Sequence, residues 1–199
     1  MSPEEESKIV ALMRAARAKR RGYADFFSWP IDRDLEEWGI ANSLKESLEA
    51  TGNDFFTDLR RRGRGNDPPD LEAVSLQRQR IAIEITELVD ESAIKKYKQT
   101  NVYDWAEWDK NRFINGLQYA INAKDKKFVN LKGSPYPGGY FLVIHTDEPE
   151  LKVGLVDQYL HDSNMVSPKH LKKVYLLISY DPDVGHCPVR EIKFSDKHN

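Results

Sequence analysis

A single cysteine, Cys187, occurs in 199 residues. A disulfide framework and a cysteine-based zinc site are thereby excluded within one chain, and a reducing compartment is expected. No stretch approaches the roughly 18 apolar residues of a membrane span. The opening MSPEEESKIV is acidic where a signal peptide would be basic, and no long apolar core follows it. A cytoplasmic protein with no membrane partner is the expectation. Charge of one sign is lacking as well: 30 Lys and Arg against 32 Asp and Glu leave a net charge of −2. The whole chain is no polycation, so any nucleic-acid surface must be a local patch. A Walker loop, a Gly-rich dinucleotide fingerprint and a Gly-x-Ser-x-Gly elbow are all missing, which argues against a nucleotide cofactor.

What is present suits a globular fold. Hydrophobic residues at 40% and charged residues at 31% exclude a wholly disordered chain. Residues 1–30 read as a helical arm and connector, and 31–199 as one domain. In the arm, Ile9, Leu12, Met13 and Ala16 form one stripe of a helix over 4–21, suited to a homodimer contact. Its acidic start and basic end match the macrodipole, with phosphate contact the alternative for Lys19, Arg20 and Arg21. The aromatic connector 22–30 either packs under the domain or offers a stacking platform for bases.

Helices are expected over 33–50, 91–98, 103–122 and 149–162, and strands over 55–59, 140–146, 174–180 and, at an edge, 187–194. In the helix over 33–50, Glu37 shares a face with Ala41, Leu44 and Leu48. Between them DPPDLEAVSLQRQRIAIEITEL (67–88) reads as a hairpin. Strands flanked by helices imply an α/β class with a mixed central sheet flanked by helices, the near-continuous apolar strands at its centre.

The hairpin carries the main chemical signal. Ile81, Ile83, Ile85 and Val89 share one face, while Ala82, Glu84, Thr86 and Leu88 share the other. Glutamate is depleted in strands, and a buried carboxylate is costly unless paired or bound to metal. A turn symmetric about Gln77 sets Asp70 opposite Glu84, where like charges destabilise. A divalent cation between them would convert that repulsion into a site. Neutralisation by Arg78 or Arg80 is the alternative.

Pro69-Asp70 at a strand start, a short turn, and Glu84-Ile85-Thr86 in an apolar strand resemble the signature of the PD-(D/E)XK nuclease superfamily. The order helix, strand, hairpin, helix, strand is similar to that family through about residue 146. The resemblance implies a restriction-endonuclease-like fold and Mg²⁺ or Mn²⁺ held by Asp70, Glu84, the Ile85 carbonyl and a helical acid, Glu37 with Glu36 as second choice. It implies hydrolysis of phosphodiester bonds in DNA or RNA, with Asp70, Glu84 and Thr86 at the reacting centre. The departure is Thr86, where the pattern has a lysine that orients water and stabilises charge on the phosphate. Lys95, Lys96 and Gln118 are candidate substitutes. The alternative is a nuclease-fold protein whose chemistry is lost and which binds nucleic acid or a protein.

Arg60, Arg61, Arg62 and Arg64, in a glycine-bearing loop before Asp70, are the expected contacts to a nucleic-acid backbone. His145, Thr146, Asp147 and Glu148 end a central strand and are expected to cap the following helix; an enzyme of other chemistry built around His145 and Asp147 is the rival. Lys169, Lys172 and Lys173 read as a solvated basic face. His161, His170 and His186 lack ligand spacing and read as surface residues, and Trp105 and Trp108 as core or interface.

Overall fold

A computed structural model describes Ala11 and residues 23–27, 32–63 and 65–194. The helix expected over 4–21, apart from Ala11, lies outside the described residues, as do residues 28–31 and Arg64. Among the described residues four helices flank one six-stranded sheet: α1 Arg33–Ala50, β1 Phe56–Arg61, β2 Leu71–Ser75, β3 Arg80–Glu87, α2 Glu91–Thr100, α3 Lys110–Asp125, β4 Gly139–Thr146, α4 Val153–His161, β5 Leu171–Ile178 and β6 Val189–Glu191. A short 3₁₀ helix, Lys126–Asn130, continues α3. The strand order follows the chain. β1, β2 and β3 pair antiparallel, β3, β4 and β5 parallel, and β6 returns antiparallel at the edge.

The two sheet faces bury different sets. Ile81, Ile83 and Ile85, with Phe141, Val143, Tyr175 and Leu177, meet Ile40, Ala41, Leu44 and Leu48 of α1. The opposite parity, Ala82, Tyr140, Leu142, Ile144, Val174 and Leu176, meets Phe113, Leu117 and Ile121 of α3 and Val156 of α4. This is the period-two alternation of a strand covered on both sides. Glu84 has the parity of the second set and therefore points toward α3.

Local chemistry sets the ends of these elements. Asp32 caps α1 through the amides of Asp34 and Leu35, and Asp90 caps α2 through Ser92 and Ala93. α3 starts at Lys110 rather than near 103, because the Asp109 carboxylate takes the amide of Arg112. Residues 101–109 are irregular, with Trp105 exposed and Trp108 buried. Gly138 is required where β4 begins, since a Cβ there would lie 2.4 Å from Ile81 Cγ2 and 2.9 Å from the Arg80 carbonyl.

The strand-end residues His145 to Glu148 do not cap α4, whose start at Lys152 has no side-chain cap. Glu148 instead accepts the Tyr23 hydroxyl at 2.6 Å and the Asp90 amide at 2.6 Å, and Asp147 accepts the Phe27 amide. Tyr23 is thus packed inside the domain, and burial beside Glu148 raises its hydroxyl pKa well above the usual tyrosine value.

Candidate metal centre

The hairpin closes as its sequence symmetry requires. Arg78 adopts φ +59°, its amide bonds the Ser75 carbonyl, and the Ser75 amide bonds the Gln79 carbonyl. The register runs Val74↔Arg80, Ala73↔Ile81, Glu72↔Ala82 and Leu71↔Ile83, so the next facing pair is Asp70 and Glu84. Asp70 Oδ2 accepts the Ile85 amide at 2.7 Å. Glu84 is fully buried and Asp70 nearly so.

Arg78 and Arg80 do not neutralise the pair; Arg80 bonds Glu72 and the Gly133 carbonyl. The cations come from the end of α3. Lys124 Nζ donates to Glu84 Oε1 at 2.7 Å and to the Ile85 carbonyl at 2.7 Å, and Lys127 Nζ donates to the same Oε1 at 2.8 Å. Burial works most strongly against the Lys127 charge, but the Glu84 hydrogen bond and the charges of Glu84, Asp67 and Asp70 together raise the ammonium pKa. Asp70 is pushed up to about 7 by burial and then by the Glu84 charge, with Lys124 opposing.

A third carboxylate joins them: one oxygen each from Asp67, Asp70 and Glu84 lie within 4.8 Å of one another. These donors suit a hard divalent cation. Glu84 Oε2 is buried without a hydrogen-bond partner, a position that an ion or its water would satisfy. Asp70, Asp67, Glu37, Arg33 and Gly65 line a cleft of about 340 Å³.

Of the expected helical acids, Glu37 reaches this cleft but bonds Arg33 at 2.6 Å, so Asp67, and not Glu37 or Glu36, completes the carboxylate group. Burial nevertheless raises the Glu37 pKa, with Arg33 opposing. The Ile85 carbonyl, expected as a ligand, accepts the Lys124 ammonium. Thr86 is half-buried on the Glu84 face and borders a neighbouring pocket together with Lys124.

The expected substitutes for the missing lysine are engaged elsewhere. Lys95 and Lys96 pair with Glu91 and Asp104, and Gln118 bonds Asn122 and both the amide and carbonyl of Val166. Lys124 carries no sequence signal beyond its place near the end of α3, forty residues beyond Glu84.

The arginine loop is also different. Arg60 and Arg61 belong to the edge strand β1. Arg62 is drawn inward to Glu72, the Tyr136 hydroxyl and the Lys132 carbonyl, so it serves the fold rather than an open surface. Among the described residues, no helix is long and apolar enough to cross a membrane. Comparison with protein-family models, curated proteins and solved structures finds no match to this chain.

Proposed function

We propose that the chain is a Mg²⁺- or Mn²⁺-dependent phosphodiester hydrolase acting on DNA or RNA, with a restriction-endonuclease-like fold of the PD-(D/E)XK type. One observation carries the reading: Asp70, just before β2, faces Glu84 of β3, with a lysine ammonium against Glu84 and the Ile85 carbonyl. The Thr86 departure is answered from α3, because Lys124 brings the charge that the third motif position lacks.

Asp67, Asp70 and Glu84 are the residues that would hold the cation. When bound, it would supply polarisation of the scissile phosphate and a water of lowered pKa. Lys124 and Lys127 place two ammonium groups beside the carboxylates, where negative charge on a phosphate would be stabilised. The Thr86 hydroxyl, on the same face, would help to orient water.

The test is cleavage of labelled single- and double-stranded DNA and RNA in millimolar Mg²⁺ or Mn²⁺. Asp70→Asn, Glu84→Gln and Lys124→Met should each lower cleavage at least about a hundredfold, the scale of lost electrostatic stabilisation at a reacting centre.

A second reading is favoured by one specific contact. Lys124 occupies both Glu84 Oε1 and the Ile85 carbonyl, as a cation would, which suits a fold whose chemistry is lost and which keeps only binding. Calorimetric Mn²⁺ titration separates the two. An enzyme binds Mn²⁺ in the wild type and loses cleavage in Lys124→Met. A binder takes up Mn²⁺ only once Lys124 is removed, and cleaves nothing.

A further inference from the structure

We propose that a single-stranded stretch of nucleic acid lies along the basic surface where Lys126–Asn130 meets residues 167–173, with an unpaired base stacked on the Phe128–His170 ring pair. The identity of the polymer rests on the hydrolase reading. The placement rests on the surface itself.

Two segments distant in sequence are joined there by one side chain. Asp125 Oδ2 accepts the Lys169 amide at 2.9 Å, and Oδ1 accepts those of His170 and Leu171 at 2.8 and 2.9 Å. Both its oxygens are thus committed to backbone. It is the only carboxylate in 124–132 and 167–173. Lys126, Lys132 and Lys169 are exposed and Lys127 is half-buried. Lys172 and Lys173 turn to the other sheet face, over Phe141 and Tyr175 on the α1 side.

Lys132 donates to the Gly65 carbonyl, a partner that leaves its charge in place, whereas Lys127 pairs with the Glu84 carboxylate. In a chain of net charge −2, this local excess is where a polyanion would settle. Lys127 reaches Glu84, so the surface adjoins the metal centre. Arg60 and Arg61, by contrast, sit on β1 at the edge of the sheet, two strands from Glu84.

The ring pair selects the form of the polymer. Phe128 and His170 stack with centroids 4.3 Å apart and planes 4° from parallel, and Phe128 is 40% exposed. A flat exposed ring amid lysines binds a base by its π-face, which only an unpaired base presents.

The experiment is fluorescence anisotropy in EDTA with a labelled single-stranded DNA, the same sequence as RNA, and the DNA duplex. Charge reversal at two exposed positions, Lys126→Glu with Lys169→Glu, should weaken single-strand binding at least tenfold. It should also flatten the log–log salt slope by about 1.4, roughly 0.7 for each lost phosphate contact. Phe128→Ala should cost about tenfold on the single strands and little on the duplex. Single strands should bind more tightly than the duplex.

Unchanged affinity in the doubly reversed variant, a duplex bound as well as the single strands, or no binding by the wild type would each overturn the proposal. EDTA keeps the two readings apart. Lysine-dependent binding without cleavage in Mg²⁺ would sink only the hydrolase. Cleavage that Asp70→Asn removes, with binding indifferent to the lysines, would sink only this surface.

Discussion

Lys124→Met tests the electrostatic design of the centre through stability alone. The Lys124 side chain is 12% exposed, Glu84 is fully buried, and the ammonium makes two bonds of 2.7 Å, to Glu84 Oε1 and the Ile85 carbonyl. Removing one partner of a buried pair costs about 3–5 kcal/mol, because the remaining charge is left in a poorly solvating place. Lys127 still bonds the same oxygen, which puts the expected loss at the lower end, about 3 kcal/mol. Lys127→Met is the internal control: its side chain is 40% exposed, so water replaces much of what is lost and the cost should be about 1 kcal/mol or less. The double variant Lys124→Met with Glu84→Gln removes the stranded charge and should recover more than half of the deficit. Urea unfolding followed by tryptophan fluorescence in EDTA at pH 8 reads all four proteins. Equal losses at positions 124 and 127, or a double variant no better than Lys124→Met, would refute the reasoning.

Asp70 gives a pH dependence of unusual sign. Its folded pKa of about 7 lies above the ordinary carboxylate value, so the folded chain binds the extra proton. Its stabilising contribution is full below about pH 4 and is lost as pH rises through about 7, with a slope of at most about 1.4 kcal/mol per pH unit. Urea midpoints in EDTA between pH 4 and 8 should show that decline, and Asp70→Asn should flatten it. Asp125→Ala strands three amides of residues 169–171 and should cost about 2–3 kcal/mol in thermal unfolding, with Asp125→Asn recovering part. Gly138→Ala drives a methyl into Ile81 and the Arg80 carbonyl; a loss of about 2 kcal/mol is expected from the same unfolding curves.

The sequence by itself determined the hairpin and its polarity. Alternation of Ile81, Ile83 and Ile85 with Ala82 and Glu84 leaves one way to bury the isoleucines, and a turn centred on Gln77 then sets Asp70 against Glu84. Both are local facts of strand period and turn symmetry, which survive whatever packs above them. The α/β class was legible for the same reason, from the apolar runs of β4 and β5 and the stripe of α1.

Partners contributed from a distance were not legible. Lys124 and Lys127 meet Glu84 only because α3 crosses the face to which that glutamate points, and nothing near residue 84 encodes the crossing. Asp67 displaces Glu37 in the carboxylate group through the path of the 62–70 loop, and Arg62 turns inward because Glu72 and Tyr136 wait there. Lys169, Lys172 and Lys173 read alone as a solvated face. Asp125 sets Lys169 beside Lys126, and a charge patch is a sum over space, which a linear reading of the chain does not contain.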